Sequence, residues 1–427
     1  MRIRIIVCWL LLFSLEATAF ELKADGGKRW YKGNIHTHTL WSDGDAAPEV
    51  SVAWYCDHGY NFLGLSDHNI LSDGSMVKPF PVTENGRLTP ERVEQIKERF
   101  GDQWVNLAVQ DGTQYMRLKT LPEIKERFER PGEFLLIQAE EITSIFPAVH
   151  VNALNNQRVV PPINNVSPEA ALRSAVETLE KQSMELNIPM LTSLNHPNFS
   201  SGVPVEALLD VPKLQFFEVY NGHPSVDNWG NEAKGFHPTD RIWDIVLSMR
   251  QRRGDGRILY GVGTDDTHDY FKRAIGESNS GRGWIQVLAD SLTPESIIAA
   301  MKDGSFYAST GVTLDSISFD GKKMTVAIEA EDGVTYTTKF FGTRKDFDPT
   351  SEPKLGEDGK PVAGASKVYS DEIGETLLET TENPAVYELN GDELYVRAKI
   401  ISSKEQENPF KAGDLETAWT QPAIPGR

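Results

Sequence analysis

Apolar residues along this chain fall into three regimes. The middle and longest runs from Arg29 to about Gly311, where short apolar stretches alternate with segments of helical periodicity. That alternation is the pattern of an α/β fold. Strands are predicted to end near Ile35, Leu65, Ile137, Leu154, Leu194, Val219, Val262 and Val287. Ser167-Pro168-Glu169 places an N-cap and a first-turn proline ahead of a helix over Ala170–Leu186. Thr293-Pro294-Glu295 does the same for Ser296–Lys302, with Gly304 just past its end. Pro238–Met249 carries Ile242, Trp243, Ile245, Val246 and Met249 on one broad face, as an amphipathic helix does. The stretch Ser72–Arg130 is too long for an ordinary connection, contains its own predicted helix (Pro90–Phe100), and is expected to form a lid or rim insertion.

After Gly311 the pattern becomes all-β. Ser316–Phe319 and Met324–Ala330 flank Asp320-Gly321-Lys322-Lys323, a hairpin signal. Tyr336–Phe341 and Leu394–Ile400 read as further strands, and Asn390-Gly391 marks another turn. Arg344–Lys367, rich in Pro, Gly and charge, is expected to be a long exposed loop. The expected division is an α/β domain over residues 20–311, with 72–130 inserted, and a small β-sandwich over residues 312–427.

The N-terminal regime is short. A basic start, Met1-Arg2-Ile3-Arg4, precedes an apolar run from Ile5 to Leu15 and then Ala17-Thr18-Ala19. This reads as a secretory signal peptide over residues 1–19, cut before Phe20. A membrane anchor would need about 20 apolar residues, so no membrane span is expected. The mature chain is expected to be periplasmic or secreted. Cys8 leaves with the signal peptide and Cys56 remains alone, expected on a buried helix face rather than as a reactive thiol. At 427 residues the chain is long enough for two domains. Its net charge of −19, with no basic stripe to offset it, argues against nucleic-acid binding.

The chemistry sits where the strands end. Asn34-Ile35-His36-Thr37-His38 closes the first strand with two histidines that alternate onto one side of an extended backbone, where both can grip one cation. Asp43 follows in a Gly-containing turn, and Asp67-His68 follows the next apolar run. After Ile137 come Glu140 and Glu141; His150 opens an apolar strand; Asn195-His196-Pro197 follows Leu194; and Asp265-Asp266-Thr267-His268 follows Val262. A barrel gathers such strand ends at one mouth. Histidine and carboxylate without cysteine suit Zn, Mn or Fe better than a soft thiolate site. Glu141 is expected to bridge metals, while its neighbour Glu140 points the other way and is expected to support a ligand from behind. Asp266-x-His268 repeats the spacing of the first pair, which leaves Asp265 as a partner. Glu218, inside an apolar strand, either orients a ligand histidine or contacts substrate. His58, His223 and His237 have no such context and are read as ordinary histidines.

Taken in order, His36-x-His38-Thr39-x-x-Ser42-Asp43-Gly44, Ser66-Asp67-His68-Asn69, Glu141 after a strand, Asn195-His196-Pro197 and Asp266-x-His268 form a pattern that resembles the polymerase-and-histidinol-phosphatase (PHP) family of metal-dependent hydrolases. The stretches Phe134–Thr143, His150–Asn155, Tyr260–His268, Gly281–Trp284, Phe306–Gly311 and Ala418–Pro422 look like its exported, carbaryl-hydrolase-like branch. The resemblance implies a distorted, TIM-like (β/α) barrel, typically of seven strands, with two to three divalent metals at its mouth. It implies that His36, His38, Glu141 and Asp266 hold one metal, Glu141, His150 and His196 a second, and Asp43, His68 and His268 a third.

The expected activity is hydrolysis of a small-molecule phosphomonoester or phosphodiester, with a hydroxide shared by two metals as nucleophile. No Ser-His-Asp or Cys-His arrangement competes for that role. Asp67 is the candidate to orient a neighbouring group, and Arg282 is a candidate for a phosphate oxygen, against an ion-paired surface role. The alternative chemistry is carbamate or carboxylic-ester hydrolysis on the same centre. The amidohydrolase superfamily also begins with HxH, but it usually needs a bridging carboxylated lysine where this chain offers Glu141. A third reading, a binding protein with structural metals, fits poorly with a set of nine ligands, since structural sites close with few.

Overall fold

The computed structural model describes residues 19–254 and 257–426. The expected signal peptide lies outside these residues apart from Ala19. The chain is a mixed α/β fold with large sheets. It opens with β1 (Phe20–Lys23), β2 (Arg29–Asn34), α1 (Pro48–Asp57) and β3 (Phe62–Leu65). The insertion supplies β4 (Pro79–Val82), α2 (Pro90–Phe100), β5 (Leu107–Gln110), β6 (Thr113–Arg117) and α3 (Leu121–Phe128). Then come β7 (Leu135–Ser144), β8 (Val149–Leu154), α4 (Pro168–Leu186), β9 (Leu191–Leu194), α5 (Val205–Leu209) and β10 (Phe216–Asn221). These are followed by α6 (Thr239–Arg253), β11 (Tyr260–Thr264), β12 (Trp284–Ala289), α7 (Pro294–Lys302) and β13 (Phe306–Ser309). The rest is β14 (Leu314–Phe319), β15 (Lys323–Ile328), β16 (Tyr336–Arg344), β17 (Ser351–Glu352), β18 (Val368–Tyr369), β19 (Glu375–Thr380), β20 (Ala385–Glu388), β21 (Glu393–Glu405) and β22 (Leu415–Thr420).

Local chemistry explains the helix boundaries. Thr89, Ser167 and Thr293 each accept the backbone N–H three residues on, at 3.2 Å, and each is followed by proline, which starts α2, α4 and α7. Helix α6 runs past the expected end at Met249. Arg250, which breaks the apolar pattern, is buried and donates to the carbonyls of Leu208, Val211 and Leu214. Gly254, in the left-handed region at φ 64°, then ends the helix.

Strands β2, β3 and β7 pair in parallel, as do β9, β10 and β11. Strand β8 runs antiparallel to both β7 and β9. Just past β2 and β11, Thr37 and Thr267 form a parallel bridge, so the series from β2 to β11 meets itself at one end. This differs from a regular TIM-like barrel, because a tight β7–β8 hairpin replaces a helical crossover and a hairpin must be antiparallel. Strand β7 also runs on to Ser144 instead of stopping at Ile137, since Ala139–Ser144 pair with β8.

Two further features position the site. The insertion packs its apolar face (Val93, Ile96, Phe100, Met116) against Leu40 and Trp41. It also clamps the loop that follows: Trp41 Nε1 donates to Lys119 O at 2.8 Å, and Arg87 donates to Ser42 O at 2.9 Å and Gly44 O at 3.0 Å. Past residue 311, β14, β15 and β20, joined by β1 from the other end of the chain, form a sheet that faces β22, β21 and β16 across a shared core that includes Leu22, Ile317, Met324, Phe340, Val396 and Ala418. The loop over residues 344–367 is exposed for most of its length, as expected, but it buries Phe347, and Ser366 Oγ accepts from Val205 N at 3.0 Å. Its sequence is polar overall, but a few side chains tie it to α5.

Candidate metal centre

The backbone bonds that join the ends of β2 and β11 bring the two alternating pairs together. His38 N donates to Thr267 O at 3.0 Å and Asp266 N donates to His36 O at 3.1 Å, so His36-x-His38 and Asp266-x-His268 lie side by side. Glu141 sits within β7, where its N–H donates to Ser66 O and its carbonyl accepts from Asn69 N, placing His68 alongside. His150 opens its strand rather than ending it. It still reaches the same end because β8 runs antiparallel. His196 follows β9, and both His196 (φ 21°) and Asp266 (φ 51°) hold left-handed backbone conformations. Such strain in non-glycine residues is characteristic of functional sites.

All nine residues named as candidate ligands fall into overlapping groups, each with ligand atoms within 4.8 Å of one another. Glu141 is the hub. Its Oε1 lies 3.3 Å from His36 Nε2, 3.2 Å from His150 Nδ1 and 3.3 Å from His196 Nε2. Its Oε2 lies 3.5 Å from His38 Nε2 and 2.7 Å from His68 Nδ1. Asp266 Oδ1 is 3.2 Å from Nε2 of both His36 and His38. Asp43 lies 3.4 Å from His68 and 3.3 Å from His268, and His38 Nδ1 is 3.6 Å from it. Ligand atoms held at roughly 2.0–2.2 Å from one cation stand roughly 3.0–3.5 Å apart, and most of these separations fit.

The donor set also fits in its chemistry. His38 Nε2, Glu141 Oε2 and His150 Nδ1 are buried and, although they lie close to other ligand atoms of the cluster, make no well-oriented hydrogen bond among the described residues. Unpaired buried acceptors are costly unless something fills them. Burial, with His268 and His68 nearby, holds His38 down to about 3, so its imidazole is neutral. Burial would raise the Glu141 carboxyl, but His68, His36 and His150 outweigh it and keep it ionised. Neutral imidazole and ionised carboxylate are the forms that bind metal.

Polar groups behind the site fix these side chains. Glu218 Oε1 lies 2.6 Å from His36 Nδ1 and accepts from Thr264 Oγ1, while Oε2 accepts from His196 N and Asn221 Nδ2. With four partners it orients a histidine, the first of the two readings open from sequence. Asp67 accepts from Thr39 N, Thr39 Oγ1 and Ser42 Oγ. Because Ser42 donates to Asp67, the His38 Nδ1 at 3.2 Å must donate to Ser42, which turns Nε2 inward as an acceptor. Asp67→Ala is therefore expected to act through Ser42 and lower metal affinity by about tenfold, the low end for such an outer partner. Metal titration would check it, and an unchanged affinity would remove Asp67 from this role.

Other expectations need correction. Arg282 neither faces a phosphate site nor sits ion-paired at the surface. It is buried, and its guanidinium donates to the carbonyls of Gly222, Glu277 and Ala274. Glu140 does point away, but it supports no ligand: its Oε1 accepts from Asn156 Nδ2 and Val160 N, and burial pushes it up to about 8. Asp265 is a structural partner, accepting from Tyr55 Oη and the N–H groups of Gly281, Arg282 and Gly283. His58 stacks on Trp54, and His237 lies 2.7 Å from Lys367 O, both away from the cluster. His223 is different: its ring lies 5.3 Å from that of His268, beside the site. Sequence reasoning also passed over Asn195, which donates to Glu141 Oε1 at 2.8 Å, and Asn221, which donates to Asp266 Oδ2 at 3.2 Å. Their only signal was adjacency, Asn195 to His196 and Asn221 to the end of the Glu218 strand. Cys56 is half-buried and free, its thiol pushed up to about 12 chiefly by burial.

No family model matches the chain, and no curated protein matches it. Solved structures are similar to it at low identity, among them the following two. One, from Bacteroides vulgatus, is described as a two-domain protein containing a predicted PHP-like metal-dependent phosphoesterase; it is 17% identical over 93% of this chain and 96% of its own, with a TM-score of 0.39. The other, from Bifidobacterium adolescentis, is provisionally described as a metal-dependent phosphoesterase; it is 13% identical over 58% of this chain and 90% of its own, with a TM-score of 0.30.

Proposed function

We propose that this chain is a metal-dependent phosphoesterase acting on a small phosphomonoester or phosphodiester, and that its ring of strands is a distorted (β/α) barrel of the PHP kind. The observation that supports this best is the convergence of nine histidine and carboxylate side chains on one end of the sheet, several with buried ligand atoms that make no well-oriented hydrogen bond. Their hard and borderline donors suit Zn, Mn or Fe. Bound among these residues, divalent cations would polarise a phosphoryl oxygen and acidify a water.

The chain's own residues divide the work by burial. His36, Glu141 and Asp266 are sealed, with side-chain exposures of 0%, 1% and 6%. Asp43, His68 and His268 stand nearer solvent at 54%, 25% and 19%. Substrate therefore enters from the Asp43 side, whose loop the insertion holds. His268→Ala is expected to raise KM by roughly tenfold while leaving the buried groups loaded, with His237→Ala unchanged as a control. Steady-state kinetics on both variants checks this, and a loss of all bound metal in His268→Ala would contradict it.

Protons are part of the binding. Burial opposes charge on His36, but Asp266, Glu218 and Glu141 together raise it well above the usual imidazole range. Carboxylates likewise raise His196 and His268 against burial. Metal must displace these protons, so affinity is expected to rise with pH until the imidazoles are neutral. Calorimetry in buffers of different ionisation heat should show net proton release; none would contradict the ligand set.

The activity itself is tested by comparing turnover of para-nitrophenyl phosphate and bis(para-nitrophenyl) phosphate with that of an aryl carbamate and an aryl carboxylic ester, metal for metal. Faster phosphoester hydrolysis supports the proposal. Carbamate or carboxylic-ester hydrolysis alone would move the chain to the alternative chemistry on the same centre.

A further inference from the structure

Six side chains close a ring around the more exposed side of the metal cluster. His68 and His150 hold their ring centres 5.8 Å apart, His150 and Phe199 5.7 Å, Phe199 and His223 6.5 Å, and His223 and His268 5.3 Å. Asp43 completes it, 3.3 Å from His268 and 3.4 Å from His68. Four of the six are candidate ligands, and the side chain of Phe199 has no polar atom. His223 is the exception. It is half-buried at this rim and belongs to none of the ligand groups. Its Nδ1 accepts from Ser225 N at 3.1 Å, so the neutral ring carries its proton on Nε2, which has no partner among the described residues.

The loop that carries His223 is tied to the cluster. His223 N donates to Asn221 Oδ1 at 2.8 Å, and the same amide donates to Glu218 Oε2 and Asp266 Oδ2. The carbonyl of His223 accepts from Val226 N at 3.1 Å, and that of Gly222 accepts from Arg282 at 2.8 Å. Arg282, which reaches no phosphate itself, braces this loop from behind.

We infer that His223 binds the phosphoryl group of the substrate, donating from Nε2–H to one of its oxygens; the choice of ligand rests on the phosphoesterase reading. A phosphoryl group bound at the cluster would meet this rim, where His223 alone offers a donor that no candidate ligand role uses up. Hydrogen bonds to an anionic oxygen are about twice as strong as neutral ones, and a donor already held in place needs little reorganisation. With Nδ1 engaged, loss of the Nε2 proton would leave an imidazolate. His223 therefore orients the group and does not protonate the leaving group.

The test uses the full chain loaded with Mn and inorganic phosphate as the probe, with binding read by calorimetry, bound metal by mass spectrometry and bis(para-nitrophenyl) phosphate turnover in parallel. His223→Ala and His223→Phe should each weaken phosphate binding by about tenfold. His223→Gln, whose amide N–H can replace Nε2–H, should recover most of the loss, and all three should keep the metal content of the parent chain. The Phe variant keeps the ring packing, so a merely structural role would spare it. Phosphate affinity unchanged in His223→Phe overturns the inference. So does a loss in His223→Gln as large as in His223→Ala, a loss of metal in every variant, or no phosphate binding by the parent chain. Phosphate binding that depends on His223 without phosphoester turnover would support the inference and count against the phosphoesterase reading; turnover with phosphate affinity indifferent to His223 would do the reverse.

Discussion

Glu141→Ala is expected to abolish turnover and to lower bound metal. Its two oxygens lie within 3.5 Å of five histidine rings, His36, His38, His68, His150 and His196. No other side chain of the cluster reaches as many. Removing it takes a ligand from more than one group at once and leaves several raised imidazoles to repel one another. The activity loss should exceed the roughly 10–100-fold cost of an outer partner. Metal content by mass spectrometry and single-turnover rate, measured together, check this. A Glu141→Ala protein with near-normal metal and turnover would mean that the hub lies elsewhere.

The second large effect is expected at Glu218. It touches no proposed substrate path, yet it accepts from Thr264, Asn221 and the His196 backbone and fixes His36 through Nδ1. Glu218→Ala should cost about 100-fold in metal affinity or activity, the upper end for a group behind a ligand. It should also cost roughly 1–3 kcal/mol of stability for each buried donor left unpaired. Chemical denaturation of the metal-free protein separates the two effects. If metal affinity holds while stability falls, Glu218 is a packing residue and His36 does not depend on it.

Much of the cluster was legible because candidate ligands in α/β proteins are sought where strands end, and short histidine and carboxylate motifs mark those ends. His36, His38, His68, His196 and Asp266 needed only that rule. His150 could be placed by its motif, but the reason it belongs was hidden: only the antiparallel course of β8 brings the start of a strand to the same end. The hairpin also explains why β7 ran past its expected end, since apolar spacing alone does not show that Ala139–Ser144 has a partner. Arg282 illustrates a different limit. An arginine in a glycine turn offers the same sequence signal whether it reaches a phosphate or three carbonyl groups, and only burial decides. Asn195 and Asn221 were missed because amides carry no charge pattern, although they donate to Glu141 Oε1 and Asp266 Oδ2.

The central claim is that the histidine and carboxylate cluster holds metal and that the metal-loaded chain cleaves phosphoesters. Its most direct test is a titration of chelator-treated protein with Zn, Mn and Fe(II), following bound metal and bis(para-nitrophenyl) phosphate turnover in the same samples. Turnover should be absent without metal and should rise as about two to three equivalents bind. It should stay absent in Glu141→Ala. Phosphoester turnover that persists without metal, or full occupancy by every metal with no turnover of any phosphoester, would contradict the account.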